Sequence, residues 1–404
     1  MFLDSYRHSD NPYLQRALDV ALGGSRTSWP NPAVGCVIVR HGEGPSGEDL
    51  IVGEGFHALA GQPHAELNAL ADAGERARGA TAYVTLEPCN HTGRTGPCSQ
   101  ALIAAGVARV VIGMRDSNPR AEGGADVLRA AGVDVEFAAD PAPFEYHLRG
   151  WLHRLSTGRP HVTAKVGLSL DGSVALERGV RTAITGRSGR EVTNALRQTA
   201  HAVMVSSMTV LADNPSLLAT DNHGVPLNGQ PLRAILCQTQ LPREGSAVLV
   251  DGLAATALLV PAGMAIESDA RTLAESSRCA GRDVRVITYS ADRSIRGAIE
   301  MLGAEGIGDL LVEPGPRLLT ALLREELVDE LITVTAGGFL GQDSLHLWAG
   351  APTLEPMPGE GLPVLASWLV PVSAHVHDGV SVTVWRPRTE SNDIPGVDTD
   401  APND

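Results

Sequence analysis

One histidine, one glutamate and two cysteines stand in an order that can hold a metal and move a proton. They are His64 and Glu66 in His64-Ala65-Glu66, and Cys89 and Cys98, each preceded by proline, in the stretch from Glu87 to Cys98. One nitrogen and two thiolates form the three-ligand set of a catalytic zinc whose fourth position stays open for water. A metal in that setting lowers the pKa of its water toward neutrality, so that it can attack a carbon bearing an amino group. Glu66, two residues after the histidine, is the candidate that carries a proton from that water to the leaving ammonia. The order His-x-Glu, then Pro-Cys, then Cys, is the pattern of zinc deaminase chemistry. Buried core residues and a structural zinc are the alternatives. Four residues in this order argue against the first, and structural zinc sites usually have four protein ligands.

The elements around the motif are those such a site needs. Gly61-Gln62-Pro63 is a breaker and helix-start signal, and His64 to Ala77 reads as a helix with His64 and Glu66 in its first turn. Ala80 to Thr85 reads as a strand running into Pro88-Cys89. Cys98 opens the run Ser99 to Ala105, which reads as a second helix, and a thiolate at a helix N-terminus is favoured by the dipole.

The 404 residues suggest two or three domains, and a hydrophobic fraction of 43% lets each bury a core. The net charge of −15 and an aromatic fraction of 4% argue against a nucleic-acid partner, which would want basic residues and stacking platforms. Five cysteines, two of them assigned to metal, point to a reducing cytoplasm rather than a disulfide framework. The first residues have no signal-peptide core, and no apolar run reaches membrane-spanning length.

Taken in order, strands and helices alternate from Tyr13 to about residue 145, which implies a layered α/β domain. Residues 146–160 form a linker, made of most of a connecting helix over Phe144 to Thr157 and the Gly158-Arg159-Pro160 that ends it. A second α/β pattern runs from 161 to 388. It opens with the strand His161 to Leu168, continues through the helix Gly186 to Thr199, and includes a loop from Thr209 to Pro215. A strand, a Gly/Pro turn and a helix start at Val312 to Arg317 make a candidate anion site, because free N–H groups and the helix dipole favour phosphate. An ordinary strand-to-helix turn remains the alternative. No Gly-x-Gly-x-x-Gly falls between a strand and a helix, so a Rossmann fingerprint is absent. Residues 389–404 hold five acidic residues and no basic ones, and read as a disordered acidic tail.

The chain resembles the bifunctional deaminase–reductase family of riboflavin biosynthesis. The resemblance rests on Asn31 to Val37, Gly53 to His57, Gly61 to Glu66 and Tyr83 to Cys98, and it covers nearly everything before the tail. It implies a cytidine-deaminase-like α/β/α domain followed by a dihydrofolate-reductase-like α/β domain. It implies deamination of a diaminopyrimidinone ribosyl phosphate, then reduction of the ribosyl chain to ribityl with NADPH. By resemblance, His64, Cys89 and Cys98 hold one Zn2+ per chain and Glu66 is the proton shuttle. Asn31, His57, His91, Arg94, Asp116 and Asn118 surround the pyrimidine and its phosphate. In the second domain Lys165, Arg181, Arg197, Leu217 and Glu313 meet the substrate. Gly167, Thr209, Asp213, Gly315, Pro316, Arg317, Leu318 and Leu319 meet NADPH. The resemblance also implies a homo-oligomer, a dimer or tetramer.

The chain departs from that family at several positions. Gly96 stands where proline is more usual. Arg181-Thr182-Ala183 replaces a Ser-x-Trp, so an aromatic wall is missing. Thr220 stands where an arginine is usual, and Cys237-Gln238 where an aspartate-serine pair is common. Arg181 is therefore the candidate replacement charge for the substrate phosphate. Three other readings stand beside the two-activity one: a deaminase with a degenerate reductase domain, a nucleic-acid base deaminase, and a non-enzymatic ligand-binding regulator with a structural zinc.

Overall fold

The computed structural model describes residues 8–91, 96–119, 121–347 and 368–388. The candidate Arg94 and the acidic tail 389–404 lie outside the described residues. The chain forms two compact units. The first runs to His161 and also takes in Leu302–Asp309, and the second holds Val162–Met301 and the chain from Leu310.

In the first unit, strands β1 (Gly35–Arg40), β2 (Leu50–Phe56), β3 (Thr81–Leu86), β4 (Arg109–Met114) and β5 (Asp134–Phe137) form one sheet in the order β2-β1-β3-β4-β5. β1 is antiparallel to β2 and β3, while β3, β4 and β5 are parallel. All six residues of β3 and five of six in β4 are buried, as central strands covered on both faces require. Helices α1 (Pro12–Ala21), α2 (Ala65–Ala73), α3 (Cys98–Ala105) and α4 (Gly124–Ala130) pack around the sheet, followed by α5 (Ala142–His147) and α6 (Arg149–Thr157). The connecting helix expected over Phe144–Thr157 is thus two helices. α1 begins where Asn11 accepts from the amides of Tyr13 and Leu14, with Pro12 in the first turn.

The seat of α2 is fixed by glycines. A Cβ at Gly55 would lie 2.3 Å from the amide nitrogen of Ala69 and 2.5 Å from the carbonyl oxygen of Ala65. One at Gly53 would lie 2.3 Å from the carbonyl oxygen of Ala69. The helix presents Ala65, Ala69 and Ala73 to that strand, so its backbone meets the glycines with nothing larger than a Cβ at the contact.

The second unit holds a nine-stranded sheet. Its strands are β6 (His161–Leu168), β8 (Ala202–Ser206), β9 (Leu232–Leu236), β10 (Thr256–Pro261), β11 (Val284–Tyr289), β12 (Asp309–Val312), β13 (Glu330–Ala336), β15 (Leu369–His377) and β16 (Val380–Pro387). The short strands β7 (Ser173–Ala175) and β14 (Leu345–His346) pair apart from it. The order is β11-β10-β9-β8-β12-β6-β13-β16-β15, with an antiparallel hairpin at the β15 end. Helices α7 (Gly186–Thr199), α8 (Ser207–Asp213), α9 (Ala247–Val250), α10 (Ala265–Cys279), α11 (Ile295–Ala304) and α12 (Pro316–Arg324) connect the strands. The segment expected as a loop from Thr209 is instead α8. Ser206 caps it by accepting from the Thr209 amide, a start signal that the sequence carries. Among the described residues no helix is long and apolar enough to cross a membrane.

Gly55→Ala should lower the unfolding free energy of the first unit by about 1–3 kcal/mol, because α2 has to lift off β2. Denaturant titration measures this, and an unchanged midpoint would show that the helix seat is compliant.

Candidate functional site

His64 is the N-cap of α2, with an extended backbone, and Cys98 is the first residue of α3. Cys89 lies on the segment between β3 and α3. The His64 Nδ1 is 3.6 Å from Cys89 Sγ and 3.3 Å from Cys98 Sγ, and the three ligand atoms all lie within 4.8 Å of one another. Zinc–ligand bond lengths at tetrahedral angles require about 3.6 Å between nitrogen and sulfur. The donor set and its spacing therefore fit a zinc ion. The Cys98 amide points at Cys89 Sγ at 3.5 Å, so the helix start contributes a donor to the thiolate. Cys98 pulls the Cys89 thiol down to about 4 by hydrogen bonding, and the same bond pushes Cys98 up, since one proton is shared between them.

Glu66 is 4% exposed, in the first turn of α2 beside the ligand set. Burial raises its carboxyl to about 7, with the Cys89 charge adding to the effect. A divalent cation at the three ligands would oppose that shift.

The segment carrying Cys89 is held from several sides. The Asn90 amide donates to Ala121 O at 3.1 Å, and the Ser99 amide donates to Cys89 O at 3.3 Å. A Cβ at Gly124 would lie 1.7 Å from Pro88 O, so only glycine lets α4 start there. Glu87, outside the candidate set, is buried, and its carboxylate accepts from the amides of Ala125 at 3.0 Å and Asp116 at 3.3 Å. It thereby ties α4 and the segment after β4 to the cysteine segment. Its place directly before Pro88-Cys89 was the available sequence signal.

His57 is buried, with its ring centroid 5.1 Å from that of His64. Burial holds it below the ordinary imidazole value. The network assigns Nδ1 as donor to Pro63 O at 3.1 Å and Nε2 as acceptor from Asn31 Nδ2 at 3.0 Å. Asn31, His57 and His64 are thus brought together. Asp116 is buried, and the Asn118 amide donates to its Oδ1 at 2.8 Å. Burial raises its carboxyl to about 6, and Glu87 adds to the rise. His91 is exposed and contributes to the charge felt by Asp116.

In the second unit Lys165 on β6, Arg197 on α7 and Glu313 after β12 form one cluster. Arg197 grips Glu313 with two hydrogen bonds, Nε to Oε1 at 2.7 Å and Nη2 to Oε2 at 2.8 Å. Burial pushes the Glu313 carboxyl up, but the Arg197 charge and hydrogen bonds outweigh it, so the group ends below its ordinary value. Burial pulls Lys165 down, and Glu313 resists. Gly167 lies on the same face, where an added Cβ would be 3.7 Å from Lys165 Nζ. Asp213 ends α8, and burial raises its carboxyl while the Arg181 charge lowers it. Thr209 lies in the first turn of α8, its hydroxyl 3.1 Å from Ser206 Oγ.

Gly315 is the N-cap of α12 and Pro316 its first residue. A Cβ at Gly315 would meet nothing within 4 Å, and the first-turn amides of a helix have no intrahelical partner, which suits them to an anion. The remaining candidates divide differently. Leu318 and Leu319 bury their side chains, and the Leu319 amide donates to Gly315 O at 3.0 Å. Leu217 is 1% exposed, backbone and side chain alike, and holds φ of +56°.

Fold and site together define a zinc-dependent deaminase joined to a reductase domain. Residues 7–114 match the cytidine and deoxycytidylate deaminase zinc-binding region, and residues 160–355 match the RibD C-terminal domain. The chain belongs to the RibD family of riboflavin biosynthesis proteins. It is similar to the riboflavin biosynthesis protein RibD of Escherichia coli (strain K12), 41% identical over 346 residues, 84% of this chain and 90% of that relative. The Haemophilus influenzae RibD is 38% identical over 85% of this chain and 90% of its own length. Among solved structures, Acinetobacter baumannii RibD superposes with a TM-score of 0.74 at 32% identity, covering 93% of this chain and 98% of that one. A deaminase/reductase from Thermotoga maritima gives 0.73 at 27% identity with the same coverage.

The raised carboxyl of Asp116 carries a pH signature. Its ionised form is disfavoured in the fold, so its burden on stability is absent below the ordinary value of 3.8 and complete above about 6. Asp116→Asn should therefore gain stability over the native protein as pH rises through that window. Equal melting shifts at acid and neutral pH would show that Asp116 is solvated.

Proposed function

We infer that the chain performs two successive steps of riboflavin biosynthesis on one phosphorylated pyrimidine. The first is hydrolytic deamination of a diaminopyrimidinone ribosyl phosphate. The second is NADPH-dependent reduction of its ribosyl chain to ribityl. The observation that carries the reading is the convergence of His64, Cys89 and Cys98 beside buried Glu66, in a chain that also holds the family's reductase domain.

His64, Cys89 and Cys98 would hold zinc, which when bound lowers the pKa of a water in its open position. Glu66 accepts a proton from the attacking water and delivers it to the amino nitrogen that leaves as ammonia. His57, fixed neutral between Pro63 and Asn31, presents that amide to the pyrimidine. Asp116, Asn118, His91 and Arg94 complete the substrate contacts.

In the second unit the half-buried Lys165 and the Arg197–Glu313 pair meet the ribosyl chain. Gly167, Thr209, Asp213 and the start of α12 from Gly315 hold NADPH, which supplies the hydride. Leu217, by the family resemblance, belongs to the same substrate site. Arg181, whose charge already reaches Asp213, supplies part of the phosphate binding. The five free cysteines support a reducing, cytoplasmic setting, and the family resemblance supports a dimer or tetramer. The net charge of −15 supports a small-molecule substrate rather than nucleic acid.

Mass spectrometry of the diaminopyrimidinone phosphate after incubation, with and without NADPH, tests the whole reading. Loss of one amino group without cofactor and gain of two hydrogens with it are expected. Glu66→Gln should keep zinc, by elemental analysis, and lose about a hundredfold or more in ammonia release. Near-native release would assign the proton to another group. Arg181→Ala should raise the KM of the deaminated substrate far more than it changes NADPH affinity by calorimetry. A silent variant would remove Arg181 from the phosphate site and leave the reductase reading standing.

A further inference from the structure

The backbone from Ser216 to Thr220 is gripped almost residue by residue by side chains. Arg233 Nη1 donates to Ser216 O at 3.3 Å. Arg197 Nη1 donates to Leu218 O at 3.2 Å. Gln230 closes on Ala219 at both ends, accepting from its amide at 2.8 Å and donating to its carbonyl at 2.8 Å. Asn194 does the same at Thr220, at 2.7 Å and 2.8 Å, and Gln198 adds a bond to the same carbonyl at 2.7 Å. Asn194, Arg197 and Gln198 lie three and four apart, on one face of α7.

Between the two arginine-held carbonyls sits Leu217, with φ of +56° and a buried side chain. Bulky residues rarely adopt that conformation, and it persists only where the surroundings impose it. Here the arginines hold the carbonyls on either side. Arg233 is 1% exposed, and its five N–H donors meet five acceptors: Thr256 Oγ1, Ser216 O, both oxygens of Asp251 and Ala254 O. A guanidinium so fully engaged cannot turn without leaving buried groups unpaired.

One continuous path of hydrogen bonds and a short stretch of backbone therefore joins Asp251 to Glu313. It runs through Arg233 to Ser216, across Leu217 to Leu218, and through Arg197 to the Glu313 carboxylate. We propose that Arg233 and Asn194 are positioning residues of the reductase, which act through the clamped 216–220 backbone to hold Arg197 and Glu313 in place for the substrate. The inference rests on the reductase reading given above. Neither residue is among the groups assigned above to substrate or cofactor. Each fixes a carbonyl or amide whose place sets the Arg197 guanidinium.

The test uses the full chain with zinc and compares Arg233→Lys and Asn194→Ala with the native protein. Arg233→Lys keeps the charge but loses the fork. Asn194 is half-buried, and its alanine variant keeps the rest of the clamp should the lysine variant fail to fold. The expected result is a KM for the deaminated substrate raised on the order of tenfold to a hundredfold, with kcat within about twofold. NADPH affinity by calorimetry and ammonia release in the first step should stay at native values. A lowered melting temperature in both variants with unchanged substrate KM would overturn the proposal and leave a purely structural clamp. An equal loss of NADPH affinity would also overturn it, since the segment would then serve the cofactor. Native protein that oxidises no NADPH with this substrate would instead refute the reductase reading itself.

Discussion

The deaminase half depends on how closely a helix backbone can approach a strand. Zinc ligands tolerate only a few tenths of an ångström of misplacement, and the candidate ligand His64, as the N-cap of α2, is carried by the seat of that helix. Gly53 and Gly55 on β2, facing Ala65, Ala69 and Ala73, set that seat by leaving no side chain of their own to hold the two apart. The same device recurs where α4 meets Pro88 through Gly124. The metal centre is therefore built by small residues outside it, with Glu87 binding the three segments around it into one body.

The second unit solves a different problem, because its site is assembled from charged groups. Lys165, Arg197 and Glu313 are largely withdrawn from water, and such a set is stable only when its charges and hydrogen bonds are matched. The bidentate grip of Arg197 on Glu313 meets that demand, and Lys165 adds a second cation facing the same carboxylate. Charge balance thus uses the same atoms for which substrate recognition is proposed.

Much of this was legible in the chain because it is local. His64, Glu66, Cys89 and Cys98 announce themselves by spacing, and the helix and strand flanking them follow from the breaker at Gly61-Gln62-Pro63 and the apolar run before Glu87. The helix Gly186–Thr199 matches its expected bounds because its polar and apolar faces alternate cleanly. What escaped was either masked by competing signals or created by the fold. β15 carries Pro371, which reads against a strand, and the residue is tolerated because β15 lies at the sheet edge. The helix Ala265–Cys279 is largely polar and buries only Ala270, Leu273 and Ala274, too narrow a stripe to stand out. Asn194, Gln230 and Arg233 look like ordinary surface residues until three separate elements bring them onto one backbone segment. For Leu319, a cofactor candidate by resemblance alone, helix geometry commits the amide to Gly315 O, which the spacing of the turn did not reveal.

The order of strands in the larger sheet also bears on how the chain is made. β6 lies between β12 and β13, and both come after it in sequence. About 140 residues separate the end of β6 from the start of β12, which is roughly 7–30 s of synthesis at ordinary translation rates. Through that interval β8, β9, β10 and β11 can pair side by side as they emerge, while β6 has neither neighbour. Its apolar residues Val162, Ala164 and Val166 must wait beside the exit tunnel, uncovered, for a partner yet to be translated. A nascent chain stalled before Asp309 therefore carries an open β-edge, a natural target for chaperones and a natural seed for aggregation.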